Sequence, residues 1–300
     1  MSFSFAATDP TLTEGVRRIA TAQIERALET METNPSVDHQ VHETRKRCKK
    51  LRALLRLVRP GLEAYPLENE AIKAAAKRLG AYRDAAARLI VFDRVAATQP
   101  EWGPGLGEGA LASLRSALIE ARQSIRDDDI RQAVEESRVD LLQVLARVPA
   151  WEVRPDSGET VIAGLTKVHK KASKTFAIAW GGRDVEDVHE WRKWAKAHWL
   201  HLRLLKKIAP MAVMPRLAPL EAVCADLGEH HDLHVIMTLL AERGGAHGGR
   251  ADEALGPVLS ARQRLLEDRA FARGEPFFGE VSPALIEEVS PQWQRVSAPA

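Results

Sequence analysis

The chain of 300 residues has only two cysteines, Cys48 and Cys224, and both lie in long stretches that read as helix interior. A disulfide framework and a cysteine-built zinc site are thereby excluded, and a reducing compartment is expected. No window approaches 18 uninterrupted apolar residues, and Met1 to Pro10 lacks a basic stretch leading into an apolar core. Neither a membrane span nor a secretory signal is expected, which points to a soluble cytoplasmic protein. Strand-like alternation is missing as well. What remains is a chain of 33.2 kDa, 45% hydrophobic and 28% charged, which excludes wholesale disorder and suffices for one large domain or two ordinary ones.

The sixteen prolines divide the sequence into helix-length stretches rich in Ala, Leu, Arg, Glu and Lys. They are expected to fall at element ends. Start signals accompany the stretches: Asp9 before Pro10, Ser36 before Val37, Asp156 with Glu159 three on, and Asp184 with Asp187 three on. The reading is all-α, with roughly ten helices of 10 to 25 residues.

A formal net charge of +2 conceals strong segregation. Residues 41–59 hold eight Lys or Arg against one acid, residues 188–207 six against one, and residues 164–174 four against none. These stretches sum to +16, so the rest of the chain carries −14. Such a field is a polyanion-binding signature before any motif is considered.

Two of the stretches are copies of one another. Aligned at an offset of 147, VHETRKRCKKLRALLRLV from Val41 and VHEWRKWAKAHWLHLRLL from Val188 are identical at nine of eighteen positions. A second match follows at an offset of 148, LGAYRD from Leu79 against LGEHHD from Leu227. We read two similar halves, residues 10–149 and 156–272, joined near Pro149 to Ser157, with 273–300 as a tail. Two units make a duplicated helical bundle; a solenoid needs more.

On a helix turning about 100° per residue, His42, Arg45, Lys46, Lys49, Arg52 and Arg56 share an arc of roughly 120°, opposite Cys48, Leu51, Leu54, Leu55 and Val58. The second copy puts His189, Arg192, Lys193, Lys196, Arg203 and Lys207 on the matching arc and Trp191, Ala195, Leu202 and Leu205 opposite. Like charges one turn apart destabilise a helix by a few tenths of a kcal/mol per pair, a local cost that a bound polyanion offsets. The bland alternative is a solvated face neutralised by acidic helices, such as the segment around Asp127, Asp128 and Asp129. Duplication of the stripe, with a histidine at the same phase in each copy, favours the binding reading.

The twice-repeated H-x-x-R-[K/R]-x-x-[K/R] helix, His42 to Lys49 and His189 to Lys196, each followed about 42 residues later by an LGxxRD-like element, resembles the CHAD domain, the conserved histidine α-helical domain. The resemblance covers nearly the whole chain. It implies two pseudo-symmetric four-helix bundles from an internal duplication, a basic groove or channel between them, and non-catalytic binding of inorganic polyphosphate, often on cytoplasmic polyphosphate granules. Carried over, His42, Arg45, Lys46, Lys49, Arg52 and Arg56 line one wall and His189, Arg192, Lys193, Lys196, Arg203 and Lys207 the other, with Arg83 from the RD pair. Lys167, Lys170, Lys171 and Lys174 form the family's additional basic helix. The copies differ: Trp199 stands opposite Arg52, and His231 opposite Arg83.

No cofactor, metal or membrane partner is expected, and protein partners are not indicated. Polyphosphate has no base to stack, and the first basic arc carries no aromatic, unlike most single-strand binders. Trp191 and Trp194 are expected on the apolar side. A nucleic-acid binder is the alternative, without a recognition motif to support it. The HHDLH run at His230 to His234 raises a metal-dependent phosphohydrolase of the HD class, but the corresponding YRDAA of the first half has no histidine. The segment Gly244 to Arg250 lacks the ending of a phosphate loop and reads as a helix connection.

Overall fold

The computed structural model describes residues 3–98, 108–247, 250–279 and 285–290, the side chains at 81, 83–87, 98, 108–111, 113, 243–247 and 250–255 excepted. Among the described residues the fold is all-α; an isolated bridge between Leu62 and Val153 is the nearest approach to a strand. The helices are α1 (Leu12–Thr33), α2 (Val37–Val58), α3 (Tyr65–Arg78), α4 (Gly80–Thr98), α5 (Glu108–Gln123), α6 (Asp127–Arg147), α7 (Gly158–Gly182), α8 (Val185–Leu205), α9 (Pro210–His247) and α10 (Arg250–Phe278).

Local chemistry sets several ends. Ser36 accepts from the His39 amide to cap α2, and Asp184 accepts from the Glu186 amide to cap α8. Two other expected caps are occupied elsewhere. Asp9 is taken by the Arg18 guanidinium at 2.6 Å, so Thr11 caps α1; Asp156 accepts from the Thr13 amide, so α7 starts after Ser157. Prolines do not all mark ends, since Pro215 and Pro219 lie inside α9 and Pro257 and Pro276 inside α10. All four are exposed, and water can take the carbonyls they leave without a donor.

The packing forms two rings that close in the same order. In one, α1 packs on α2, α2 on α3, α3 on α6 and α6 on α1; in the other, α7 packs on α8, α8 on α9, α9 on α10 and α10 on α7. One difference separates them: the chain breaks at Leu79 between α3 and α4, whereas Leu227 and Gly228 sit within the continuous α9. The rings meet where α2 packs on both α7 and α8, and α4, outside the first ring, packs on α9. A single core runs through both, from Ile19, Leu51, Leu54 and Leu55 to Trp191, Phe271 and Phe278, each stabilising the fold by roughly 1.5 to 3 kcal/mol through burial. A second cluster joins Phe92 and Val95 of α4, Leu114 and Leu118 of α5, Leu233 and Ile236 of α9, and Leu259 and Leu266 of α10. Beside it Arg94 pairs with Asp232, the acid of the second LGxxRD-like element.

Part of the segment read as a C-terminal tail packs on the core. Phe278, Leu285 and Val289 are buried in the main core and Arg216 pairs with Glu288, so over 273–279 and 285–290 the chain is packed. The apolar spacing of Leu285 and Val289, one helical turn apart, explains why.

Candidate anion-binding site

Helices α2 and α7 approach closely at Gly164, where a Cβ would stand 1.8 Å from the Leu57 carbonyl oxygen. This contact lays the basic face of α7 beside the end of α2. Lys167, Lys170, Lys171 and Lys174 recur at one-turn spacing and are all exposed on one face. With Arg56 of α2, Arg59 just past its end, Tyr65 of α3, Val168 of α7 and Trp194 of α8 they line a cleft of about 350 Å³. Among the described residues none of these six cations has a carboxylate within ion-pair distance. In the acidic segment raised by the alternative reading, Asp128 pairs with Arg126 and Arg131.

Trp194 was expected among core residues, yet it is half-buried and faces the cleft. Three residues on from the fully buried Trp191, it is rotated by about 60° towards the basic arc. Its indole N–H donates to Glu190 Oε1 at 2.8 Å, which fixes the ring plane. The Arg56 guanidinium lies 5.4 Å and the Lys171 ammonium 5.8 Å from its ring centre. Arg59 stands 4.9 Å over Tyr65. Arg59, Tyr65 and Trp194 were not among the site residues read from the sequence; the first two lie past the end of the repeated motif, where the alignment has no say.

A second cationic patch follows the seam between α2 and α8. Lys196 and Arg203 sit over opposite parts of Trp199, 3.8 and 4.7 Å from its ring, and seal it to 6% exposure. Loss of hydration, with repulsion from Arg203 and Arg192, holds Lys196 below the ordinary lysine range against the pull of Cys224 and Glu221. Lys50, counted in the basic stretch but not among the site residues, is brought down to about 8 by partial burial and by repulsion from Arg47, Arg203 and Lys46. An anion seated there relieves that repulsion and restores the proton.

Other residues read from the sequence are already engaged within the protein. Arg45 donates to the Ala76 carbonyl at 2.6 Å, tying α2 to the last turn of α3. Arg52 donates to Asn69 at 3.1 Å, Lys46 to Glu43 at 2.7 Å and Lys193 to Glu190 at 3.0 Å. His42, Lys49 and Lys207 are exposed and Arg192 is half-buried. The Arg83 side chain lies outside the described residues.

His189 does not join the cleft. It faces a separate cavity of about 250 Å³ between α4, α8 and α9, with Arg88, Glu186, His231, His234 and Glu242. Its Nδ1 is 3.1 Å from His231 Nδ1, so one ring donates and the other accepts. Burial and the nearby Arg192 push His231 down to about 3, and burial first of all pushes His230 to about 4, which leaves both neutral at physiological pH. Among the described residues no group of three His, Cys, Asp or Glu is placed to hold a metal ion. Among the described residues no helix is long and apolar enough to cross a membrane.

Comparison with known proteins adds three findings. The family model described as the CHAD domain matches residues 21–241. The crystal structure of the CHAD domain from the plant Ricinus communis is similar with a TM-score of 0.58 at 18% identity, over 98% of this chain and 93% of that one, a likeness of fold. No curated protein matches.

Proposed function

Because this chain belongs to the CHAD domain family, we propose that it binds inorganic polyphosphate without catalysis, in the cleft between α2, α7 and α8 and along the seam beside it. The observation that carries this reading is the convergence of six cations from two helices on one cleft without a carboxylate among its lining residues. A linear polyphosphate carries about one charge per unit and offers only oxygens, so it asks for a row of Lys and Arg donors. The one-turn spacing on α7 supplies such a row, and Lys196, Arg203 and Lys50 continue it towards the other side of α2. The cleft lining has neither a carboxylate nor a histidine to serve as general base, which supports binding over turnover. Polyphosphate granules are the expected cellular location.

The test is a titration with long-chain polyphosphate, pyrophosphate and single-stranded DNA at equal charge concentration across a salt series. Long-chain polyphosphate is expected to bind best, with affinity falling steeply as salt rises. Lys170→Glu with Lys171→Glu is expected to weaken it at least tenfold and to flatten the salt slope by about 1 to 2. Equal affinity for DNA, or no change in the double variant, overturns the reading.

Lys50 makes a second outcome measurable. Bound anion favours its charged form, so affinity is expected to fall between pH 7 and pH 9, and binding near pH 8 to take up protons. Calorimetry in two buffers of different ionisation enthalpy reads the uptake. Lys50→Arg, charged throughout this range, is expected to bind with little pH dependence and reduced uptake.

A further inference from the structure

We propose that the same cleft accepts a nucleoside triphosphate, its phosphates on the α7 lysines and its base against Trp194 and Tyr65. This rests on the reading of the cleft as a phosphate-binding site and adds a second class of ligand to it. Polyphosphate uses only the cations, yet the exposed lining of this cleft is mostly carbon, from Tyr65, Val168, Trp194 and the lysine stems. Phosphate oxygens gain nothing from such a wall. A ligand that joins a flat aromatic ring to a short polyanion uses both parts.

Among the tryptophans of α8 the open aromatic surface is local to this place. Trp199 is sealed under Lys196 and Arg203, and Trp191 is fully buried, whereas Trp194 and Tyr65 are half-buried and line open space. The hydrogen bond to Glu190 holds the Trp194 ring in place before any ligand arrives, so little rotamer freedom is lost on stacking. Lys171 is exposed on a long stem, and its ammonium can leave the ring at 5.8 Å for a phosphate oxygen. The volume of about 350 Å³ lies within the range of small-molecule sites, roughly 300 to 1,000 Å³. No carboxylate or amide lines the cleft to read the edge of a base, so purines are favoured by stacking area, with adenine and guanine bound alike.

The experiment titrates the full chain, free of divalent ions, with ATP, GTP, UTP, tripolyphosphate and long-chain polyphosphate. ATP and GTP are expected to bind roughly tenfold tighter than tripolyphosphate, from the stacking contribution. Trp194→Leu is expected to bring ATP down to the tripolyphosphate affinity while long-chain polyphosphate changes by less than about twofold, and Trp194→Phe to keep most of the ATP advantage. ATP binding no better than tripolyphosphate, or an advantage that survives Trp194→Leu, overturns this inference alone. Failure of long-chain polyphosphate with ATP binding intact overturns the polyphosphate reading alone. Binding by none of the ligands overturns both.

Discussion

At pH 4.5 the protein is expected to have lost several kcal/mol of the folding free energy it has at pH 7.5, because histidines are enclosed in the fold as neutral rings. His198 and His201 of α8 are buried to 1% and 0% exposure, with His169 of α7 4.9 Å from His198, ring centre to ring centre. Loss of hydration pushes His201 down to about 3 and His198 well below the ordinary imidazole range. Around them stand Phe278 of α10, the Ala53 carbonyl of α2, Arg56 and Arg216; the charged neighbours are cations, which oppose protonation further. In the unfolded chain the same rings titrate near 6.5. Below that pH the unfolded state takes up protons that the folded state refuses, so stability is fully present above about 6.5 and falls by about 1.4 kcal/mol per pH unit per group as pH drops towards the folded value. His201 over two units comes to about 2.7 kcal/mol, and His198, His230 and His231 add in the same direction, a large part of the 5 to 15 kcal/mol typical of domains. Urea midpoints between pH 7.5 and pH 5, above the range where carboxylates titrate, read the effect. Replacing His201 with Leu is expected to lower the slope by about 1.4 kcal/mol per pH unit; a slope unchanged by that substitution assigns the acid sensitivity elsewhere.

Gly164→Ala is expected to destabilise the fold by more than about 3 kcal/mol and to abolish binding at the cleft. A methyl carbon 1.8 Å from the Leu57 carbonyl oxygen is at about half of normal contact distance. Neither partner has a rotamer to change, since both are helix backbone. The two helices must separate, which loosens Leu54, Leu57, Val161 and Leu165, all fully buried at their interface or beside it. Glycine within a helix costs about 1 kcal/mol relative to alanine, so only this close approach explains its place in the middle of α7. Gly228, also inside a helix, has nothing within 4 Å of a built Cβ. Gly228→Ala is therefore expected to raise stability by about 1 kcal/mol in the same denaturation assay, the opposite sign for the same chemical change.

The legible parts of the molecule are those decided within one turn of chain. Ser36 and Asp184 announce α2 and α8 because a cap is a contact over two or three residues, and the wheel of α2 sorts Leu51, Leu54 and Leu55 into the core because helix phase is local. Asp9 and Asp156 mislead for the complementary reason: Arg18 and the Thr13 amide, reached only by tertiary folding, take their oxygens. The same boundary runs through the site. The α7 lysines and Arg56 were legible as a charged pattern, but their meeting with Tyr65 and Trp194 depends on the close approach at Gly164. His189 was legible as part of a repeat, and the repeat says nothing of the cavity on the far side that it shares with His231 and His234. Nor does pattern reveal that His198 and His201, polar by type, are sealed inside.

The six cations that line the cleft, without ion-pair partners among the described residues, have one more consequence. Their mutual repulsion is borne by the folded chain alone, since unfolding lets them drift apart. A polyanion that settles among them recognises only the native state and shifts folding by RT ln(1 + [L]/Kd), about 2.7 kcal/mol at a hundredfold excess over Kd. On the proposed binding, the lifetime of the chain against heat or proteases rises and falls with the supply of that ligand, and turnover becomes a gauge of polyanion abundance that requires no second protein to read it.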